Sequence, residues 1–296
     1  MRAPDSLTVV VPVFNEGANI RRWWELAGPH LPGSTRVLVV YDFEQDDTLP
    51  AVRALQAEGA PLDLLPNSGR GVLRAIVTGL RAVERGPVLV SMADLSDEPG
   101  SIAAMLEAYR RGADVVVASR FMPGGQLLGG PRLKGWLARW GSLSLRRLAG
   151  FPVHDATNSF RLYDAELVRA VEIESTGGFE LGMELTLKAW MMGRQVAEVP
   201  STWRARDAGT SRFRLASWLP RYAALWARAM AFGLVGRRRR RAARGPSAHP
   251  RSLYPDLSMA YAAAEEATAS TATIAVPAHA GASEMPSSAK RTASTR

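Results

Sequence analysis

Apolar and polar positions along this chain alternate between two registers. Short β-branched runs at 7–14, 36–41, 61–65, 88–91, 113–118 and 196–200 predict strands buried on both faces. Between them lie stretches with helical spacing at 18–27, 49–58, 68–84, 99–111 and 132–148, then at 164–171 and 179–192. Strand and helix alternate with short connections, which predicts an α/β fold with a mostly parallel, doubly wound sheet flanked by helices. One interval breaks the pattern: 122–131 is so rich in glycine and proline that it reads as a mobile loop without regular structure.

The pattern changes again at 215–236, which is long enough to span a bilayer but carries Arg221 and Arg228 inside it and Pro220 near its start. Trp218, Tyr222, Trp226 and Phe232 suit a helix lying in a membrane interface, followed at once by Arg237 to Arg241. A helix covering the sheet, with the arginines as a solvated end, is the other reading. From Ala242 onward alanine, serine, threonine and proline dominate, as in a disordered tail. The expected division is 1–212 for a catalytic domain, 213–241 for an amphipathic membrane-surface helix with its polybasic run, and 242–296 for the low-complexity tail.

Composition narrows the chemistry. There is no cysteine, which removes disulfides and thiolate metal sites, and four histidines make a histidine-built zinc site improbable. The formal charge of +9 suggests nucleic acid until it is divided along the chain. Seven positive charges sit at 237–241, 244 and 251, and the segment from Ser252 has three basic and four acidic residues, which leaves +3 for residues 1–236. The excess is local, which favours a surface tether over a nucleic-acid-binding face. No signal peptide opens the sequence, so the domain is expected in the cytoplasm, peripheral on the inner face of the cell membrane.

Candidate chemistry gathers where strands end. Glu16 follows the first strand, Asp42 the second and Asp94 the fourth, so all three fall at one sheet edge, where open α/β sheets bind ligands. Acids after strands often serve only as helix caps. As a set, they can hold a base, a ribose hydroxyl and a divalent cation carrying a diphosphate.

Val10-Val11-Pro12-Val13-Phe14-Asn15-Glu16, the acid after strand two, Asp94-Leu95-Ser96-Asp97 and Ala118-Ser119-Arg120-Phe121 together resemble the inverting GT-A glycosyltransferases of family 2. The similarity covers roughly 7–212 and is greater to the dolichol-phosphate mannose synthase, or polyprenyl-phosphate glycosyltransferase, branch. It implies a GT-A, Rossmann-like fold. It also implies that Pro12, Phe14, Asn15, Glu16 and Asp42 hold the nucleotide, with Arg70 in Asn67-Ser68-Gly69-Arg70-Gly71 near base and diphosphate. Gly69 and Gly71 would serve equally in a plain tight turn. Arg206, Ser211 and Arg212 resemble a loop that closes over the diphosphate. Arg120 and, after the loop, Arg132 match contacts to the acceptor phosphate, and a salt bridge is the other reading of Arg120. Asp155, Arg161 and Glu184 fall on the acceptor side, where Asp155 and Arg161 would serve equally as a buried pair.

The cation site departs from the family. Met92 stands where the first acid of Asp-x-Asp belongs, and a thioether is too soft for magnesium or manganese. Asp94 is the matching ligand, with Ser96 and Asp97 as candidate helpers. Tyr41 and Phe43-Glu44 replace residues of the family's second-strand loop. The implied reaction moves a hexose, mannose or glucose, from a nucleotide-sugar donor to a polyprenyl phosphate at a membrane surface. A phosphate nucleophile is already ionised, so no strong general base is needed, and His154 is expected to be structural. A different acceptor on the same donor site, or a catalytically weakened module that binds the donor and recruits partners, are the competing readings.

Overall fold

The structure, a computed structural model, describes residues 6–205 and 215–243. The apolar runs form the middle of a seven-stranded sheet. Its strands are β1 (Thr8–Pro12), β2 (Arg36–Tyr41), β3 (Leu62–Pro66), β4 (Pro87–Val90), β5 (Val115–Ser119), β7 (Arg161–Asp164) and β8 (Val196–Pro200), in the order β3-β2-β1-β4-β7-β5-β8. Every pair is parallel except those made by β7, which runs antiparallel to both β4 and β5. A two-stranded parallel sheet joins β6 (Gln126–Leu128) to β9 (Thr202–Arg204).

Because successive side chains point to opposite faces, each central strand feeds two cores. Val9, Val11, Val37, Val39 and Leu89 pack beneath α1 (Gly17–Ala27), α2 (Thr48–Ala57) and α4 (Ile102–Arg110). Val10, Leu38, Val40, Val88 and Val90 pack beneath α3 (Gly71–Arg81), α6 (Ala165–Ala170) and α7 (Leu181–Met191). Gly79 lets α3 approach β1 closely, since a Cβ there would lie 2.3 Å from Cγ1 of Val10.

Two expectations are corrected. The 122–131 interval has regular structure, because Gln126 N donates to Ser201 O at 3.0 Å and Ala205 N to Leu128 O at 2.9 Å, which fastens β6 to β9 at both ends. Such backbone pairing needs no apolar alternation, so the sequence pattern hides it. The helix expected from 68 begins at Gly71, because Asn67 and Ser68 are held in a hydrogen-bonded loop with Thr78.

The chain between β6 and β7 forms α5 (Arg132–Ser144), which continues into a π-helical turn, Leu145–Ala149. The last described element is α8 (Leu215–Ala243). Its Ala229 is fully buried in the second core, and a Cβ on Gly233 would lie 2.2 Å from Ala149 O, so α8 lies directly on the π turn. Three of the four aromatic residues expected at a membrane interface pack inward. Trp218 meets Phe179 at 5.6 Å, Phe232 meets Trp190 at 4.8 Å, and Tyr222 joins the second core. Among the described residues no helix is long and apolar enough to cross a membrane. The low-complexity tail lies outside the described residues, apart from its first two, Ala242 and Ala243, at the end of α8.

Candidate active site

The parallel order β2-β1-β4 brings the ends of these three strands side by side, and with them Glu16, Asp42 and Asp94. After β1 the chain turns through Asn15, which is left-handed at φ 54°. Asn15 N donates to both oxygens of buried Asp46, at 3.2 and 3.1 Å, Glu16 N to Thr48 Oγ1 at 2.9 Å, and Gly17 N to Asp47 Oδ1 at 2.8 Å. The acidic loop after β2 thus gives two of its carboxylates to clamping the turn after β1. Glu16 itself accepts from Asn19 Nδ2 at 2.6 Å. Phe14, exposed at the rim, meets Phe43 edge to face at 5.4 Å.

Asp42 is also engaged. Its Oδ1 accepts from Asn67 Nδ2 at 2.6 Å and its Oδ2 from Gly71 N at 2.8 Å, so it organises the glycine-rich loop and caps α3. Gly71 has φ +83°, the left-handed region that glycine enters freely. Arg70 stands exposed at the same helix end, where cation and backbone amides favour anionic oxygens.

After β4, Asp94 Oδ1 accepts from Ser96 N at 3.1 Å across Leu95, whose φ of 61° is unusual for a branched side chain. Strain of this sort persists where the surroundings enforce it. Here they do: Arg204 N donates to Ser96 O at 2.8 Å and Glu98 N to Thr202 O at 3.1 Å, so β9 grips the loop. Asp97, bridged to Trp203, accepts from Asn158 Nδ2 at 3.4 Å. Burial, and then the neighbouring charge of Asp94, push the Asp97 carboxyl up to about 7, against the pull of Arg120 and Asn158. The Ser96 hydroxyl is buried and, among the described residues, has no hydrogen-bond partner. Two carboxylates that repel each other and an unpartnered hydroxyl between them are hard oxygen donors suited to a divalent cation. Among the described residues no three acidic or histidine side chains converge, so diphosphate and water would complete such a coordination shell.

After β5, Arg120 is held by Asp155. The guanidinium donates from Nε to Oδ2 at 2.7 Å, from Nη2 to Oδ1 at 2.9 Å and from Nη2 to Thr157 Oγ1 at 2.7 Å. Its backbone amide adds a bond to Oδ2 at 3.1 Å. Among the described residues Nη1 has no acceptor. The Arg120 side chain is 12% exposed and Asp155 is fully buried. Burial works against the Asp155 carboxylate, but Arg120 and the amides of Thr157 and Arg120 outweigh it and hold the carboxyl below its usual range. The buried pairing of Asp155 with Arg161, one of the two readings of these residues, is therefore made by Arg120 instead. Asn158, whose role the sequence did not disclose, donates to both Ala118 O at 2.8 Å and Asp97, linking the arginine's strand to the Asp94 loop.

Two further acceptor-side expectations are corrected. Arg161 is wholly buried, donates from Nε to Asn158 O at 2.6 Å and from Nη1 to Gly182 O and Thr186 Oγ1, and so ties the 155–158 segment to α7. Glu184 is also buried, accepting from the amides of Glu174 at 2.7 Å and Ser175 at 2.8 Å and pairing with Lys188 at 2.7 Å. Both are internal ties because backbone and side-chain groups of the fold take up their polar atoms. Arg132 is exposed at the start of α5, and His154 pairs with Glu198, as a structural histidine would. Arg206, Ser211 and Arg212 lie outside the described residues.

A model of the family described as glycosyl transferase family 2 matches residues 8–171. The chain is 31% identical over 209 residues to an undecaprenyl-phosphate mannosyltransferase of Micrococcus luteus, covering 69% of this chain and 85% of that protein. It is 29% identical over 243 residues to a polyprenol monophosphomannose synthase of Mycolicibacterium smegmatis, covering 74% and 88%. Among solved structures, glucosyl-3-phosphoglycerate synthase from Mycobacterium tuberculosis, in complex with Mn2+, UDP and glucosyl-3-phosphoglycerate, matches with a TM-score of 0.51 at 21% identity, covering 78% of this chain and 79% of that one. The fold is thus the GT-A fold.

Proposed function

The chain belongs to glycosyl transferase family 2 and is a glycosyltransferase, and on that footing we propose that it moves a hexose from a nucleotide-diphosphate sugar to a polyprenyl phosphate with inversion. A phosphate oxygen of the lipid forms a bond to the anomeric carbon as the bond from that carbon to the diphosphate breaks, and the nucleoside diphosphate leaves with the electron pair. The observation that carries this reading is Arg120. Asp155 and Thr157 fix its Nε and Nη2, which leaves Nη1 preorganised for an anionic oxygen beside the Asp94–Asp97 loop. The names of the curated relatives, which speak of undecaprenyl-phosphate and polyprenol, support a lipid phosphate as the acceptor.

On the donor side, Phe14, Asn15, Glu16, Asp42 and Arg70 line the rim that receives the nucleotide, with Pro12 buried beneath it at the end of β1, and Arg206, Ser211 and Arg212 are assigned to the diphosphate. Asp42 acts by holding the glycine-rich loop in shape. Asp94, Asp97 and Ser96 would hold magnesium or manganese, which supplies charge neutralisation for the departing diphosphate. Arg132 completes the acceptor phosphate site. The enzyme works at the inner face of the cell membrane, as a peripheral protein that binds no nucleic acid.

The test is a screen of GDP- and UDP-sugars against isoprenyl phosphate with Mg2+ or Mn2+, reading released nucleoside diphosphate. Asp94→Asn is expected to lower turnover by about a hundredfold or more and to abolish the rise in Tm that Mn2+ gives the wild type, with Asp97→Asn retaining part of that rise. Intact turnover in Asp94→Asn overturns the cation assignment. Donor binding without release under any condition favours the binding module.

A further inference from the structure

The aromatic side chains that face solvent are not mainly on α8. Leu133, Trp136 and Trp140 of α5, at helical spacing three and four apart, are 62%, 58% and 51% exposed. The two indoles touch each other, with ring centroids 6.2 Å apart, rather than turning into the domain. Monomeric domains seldom leave such residues together on the surface without use.

On α8 the outward residues repeat the pattern. Leu219, Ala223, Trp226, Ala227 and Leu234 are exposed and fall on one side of the helix without a charge among them. Arg221 and Arg228 turn elsewhere: Arg228 pairs with Glu174 at 2.6 Å, and Arg221 lies 5.9 Å from the Trp218 ring. The two stripes meet, because Trp226 Nε1 donates to Ser144 Oγ at 3.0 Å and Ser144 stands one turn beyond Trp140. Along the flank of the α5 stripe, Arg132, Arg139 and Arg147 are exposed, and in sequence the last turns of α8 carry Arg237 to Arg241.

We propose that the joined face of α5 and α8, led by Trp136, Trp140 and Trp226, seats in the headgroup layer of an anionic bilayer. This rests on the reading of the protein as a peripheral membrane enzyme and assigns that role to side chains. Indole and leucine enter the headgroup and acyl boundary, and the flanking guanidinium groups meet lipid phosphates. A neutral surface would offer no counter-charge to exposed Arg132 and Arg139 or to the basic run at 237–241, so charge selects an anionic lipid surface. The same placement sets Arg132, the first residue of α5, at the membrane level, where a lipid phosphate would arrive from the plane of the bilayer.

The experiment uses the full chain with vesicles of phosphatidylcholine alone or with phosphatidylglycerol, and follows flotation together with quenching of tryptophan fluorescence by brominated lipids. The wild type is expected to float with the anionic vesicles and to be quenched. Trp136→Ser/Trp140→Ser is expected to weaken partitioning by about tenfold or more while its turnover of a short, water-soluble isoprenyl phosphate and its Tm stay at wild-type values. Unquenched wild-type fluorescence on bound vesicles, or unaltered flotation of the double variant, overturns the proposal. So does a concentration-dependent dimer that the double variant abolishes, which would give the face to a second copy. Vesicle binding through this face with no transfer to any isoprenyl phosphate would sink the proposed acceptor and leave the membrane face standing.

Discussion

At the scale of single residues, the decisive fact is whose oxygens are already taken. The family resemblance sets Asp42 against the nucleotide, yet its carboxylate accepts from Asn67 and Gly71, and its loop neighbours Asp46 and Asp47 accept from Asn15 and Gly17. Arg120 and Asp155 make the complementary case: a fully buried carboxylate holds an arginine whose third nitrogen has no acceptor among the described residues. Replacing Asp155 by Asn leaves that guanidinium buried with half its partner, and is expected to cost about 3–5 kcal/mol in urea unfolding. Arg120→Lys keeps a charge but loses the fork, so kcat/KM for the lipid phosphate is expected to fall by about tenfold or more, with donor binding unchanged. An Arg120→Lys enzyme as efficient as the wild type would remove Arg120 from the acceptor site.

At the scale of elements, the strands with long β-branched runs were legible because burial on both faces leaves a continuous apolar signature. The helices over the first core were legible from their periodicity. What stayed hidden was short or polar. β6 and β9 have three residues each, and β7, with four, opens on a buried arginine, so pattern carries almost nothing there. The Arg120 to Asp155 pairing spans 35 residues and depends on β7 turning back beside β5, which no local reading supplies. The family pattern nominates candidate site residues from the sequence, but not the groups they bond to in the fold. The docking of α8 is likewise a matter of contact. Because a Cβ on Gly233 would meet Ala149 O at 2.2 Å, Gly233→Val is expected to lift the end of α8 from the π turn. Hydrogen exchange in α8 should then quicken markedly, with the strands unaltered and the loss in global stability limited to about 1–3 kcal/mol. Unchanged exchange would mean that α8 is held from elsewhere.

At the scale of the whole molecule, buried carboxylates tie loops to the scaffold and make the fold sensitive to acid. Burial opposes the ionised forms of Asp155 and Glu184, but their partners, Arg120 for one and Lys188 and Ser175 for the other, hold both pKa values below the usual range. A depressed folded pKa contributes stability that is present above the unfolded value, about 4 for these groups, and is lost as pH falls through the folded pKa. The gap in urea midpoint between wild type and Asp155→Asn should therefore be constant above about pH 5 and narrow as acid is added. A gap independent of pH would show that the variant acts by packing alone. The reversed strand β7 bears on a different question. It stands between β4 and β5, so the tops of those two strands are about 10 Å apart, and the segment from Asp155 to Phe160 comes in over the gap before the chain runs down. β1 to β4 thereby stay parallel and keep Glu16, Asp42 and Asp94 at one edge, while Arg120 and Asp155 arrive with the interval that follows, so a change of recipient would fall on a different stretch of chain from those three acids.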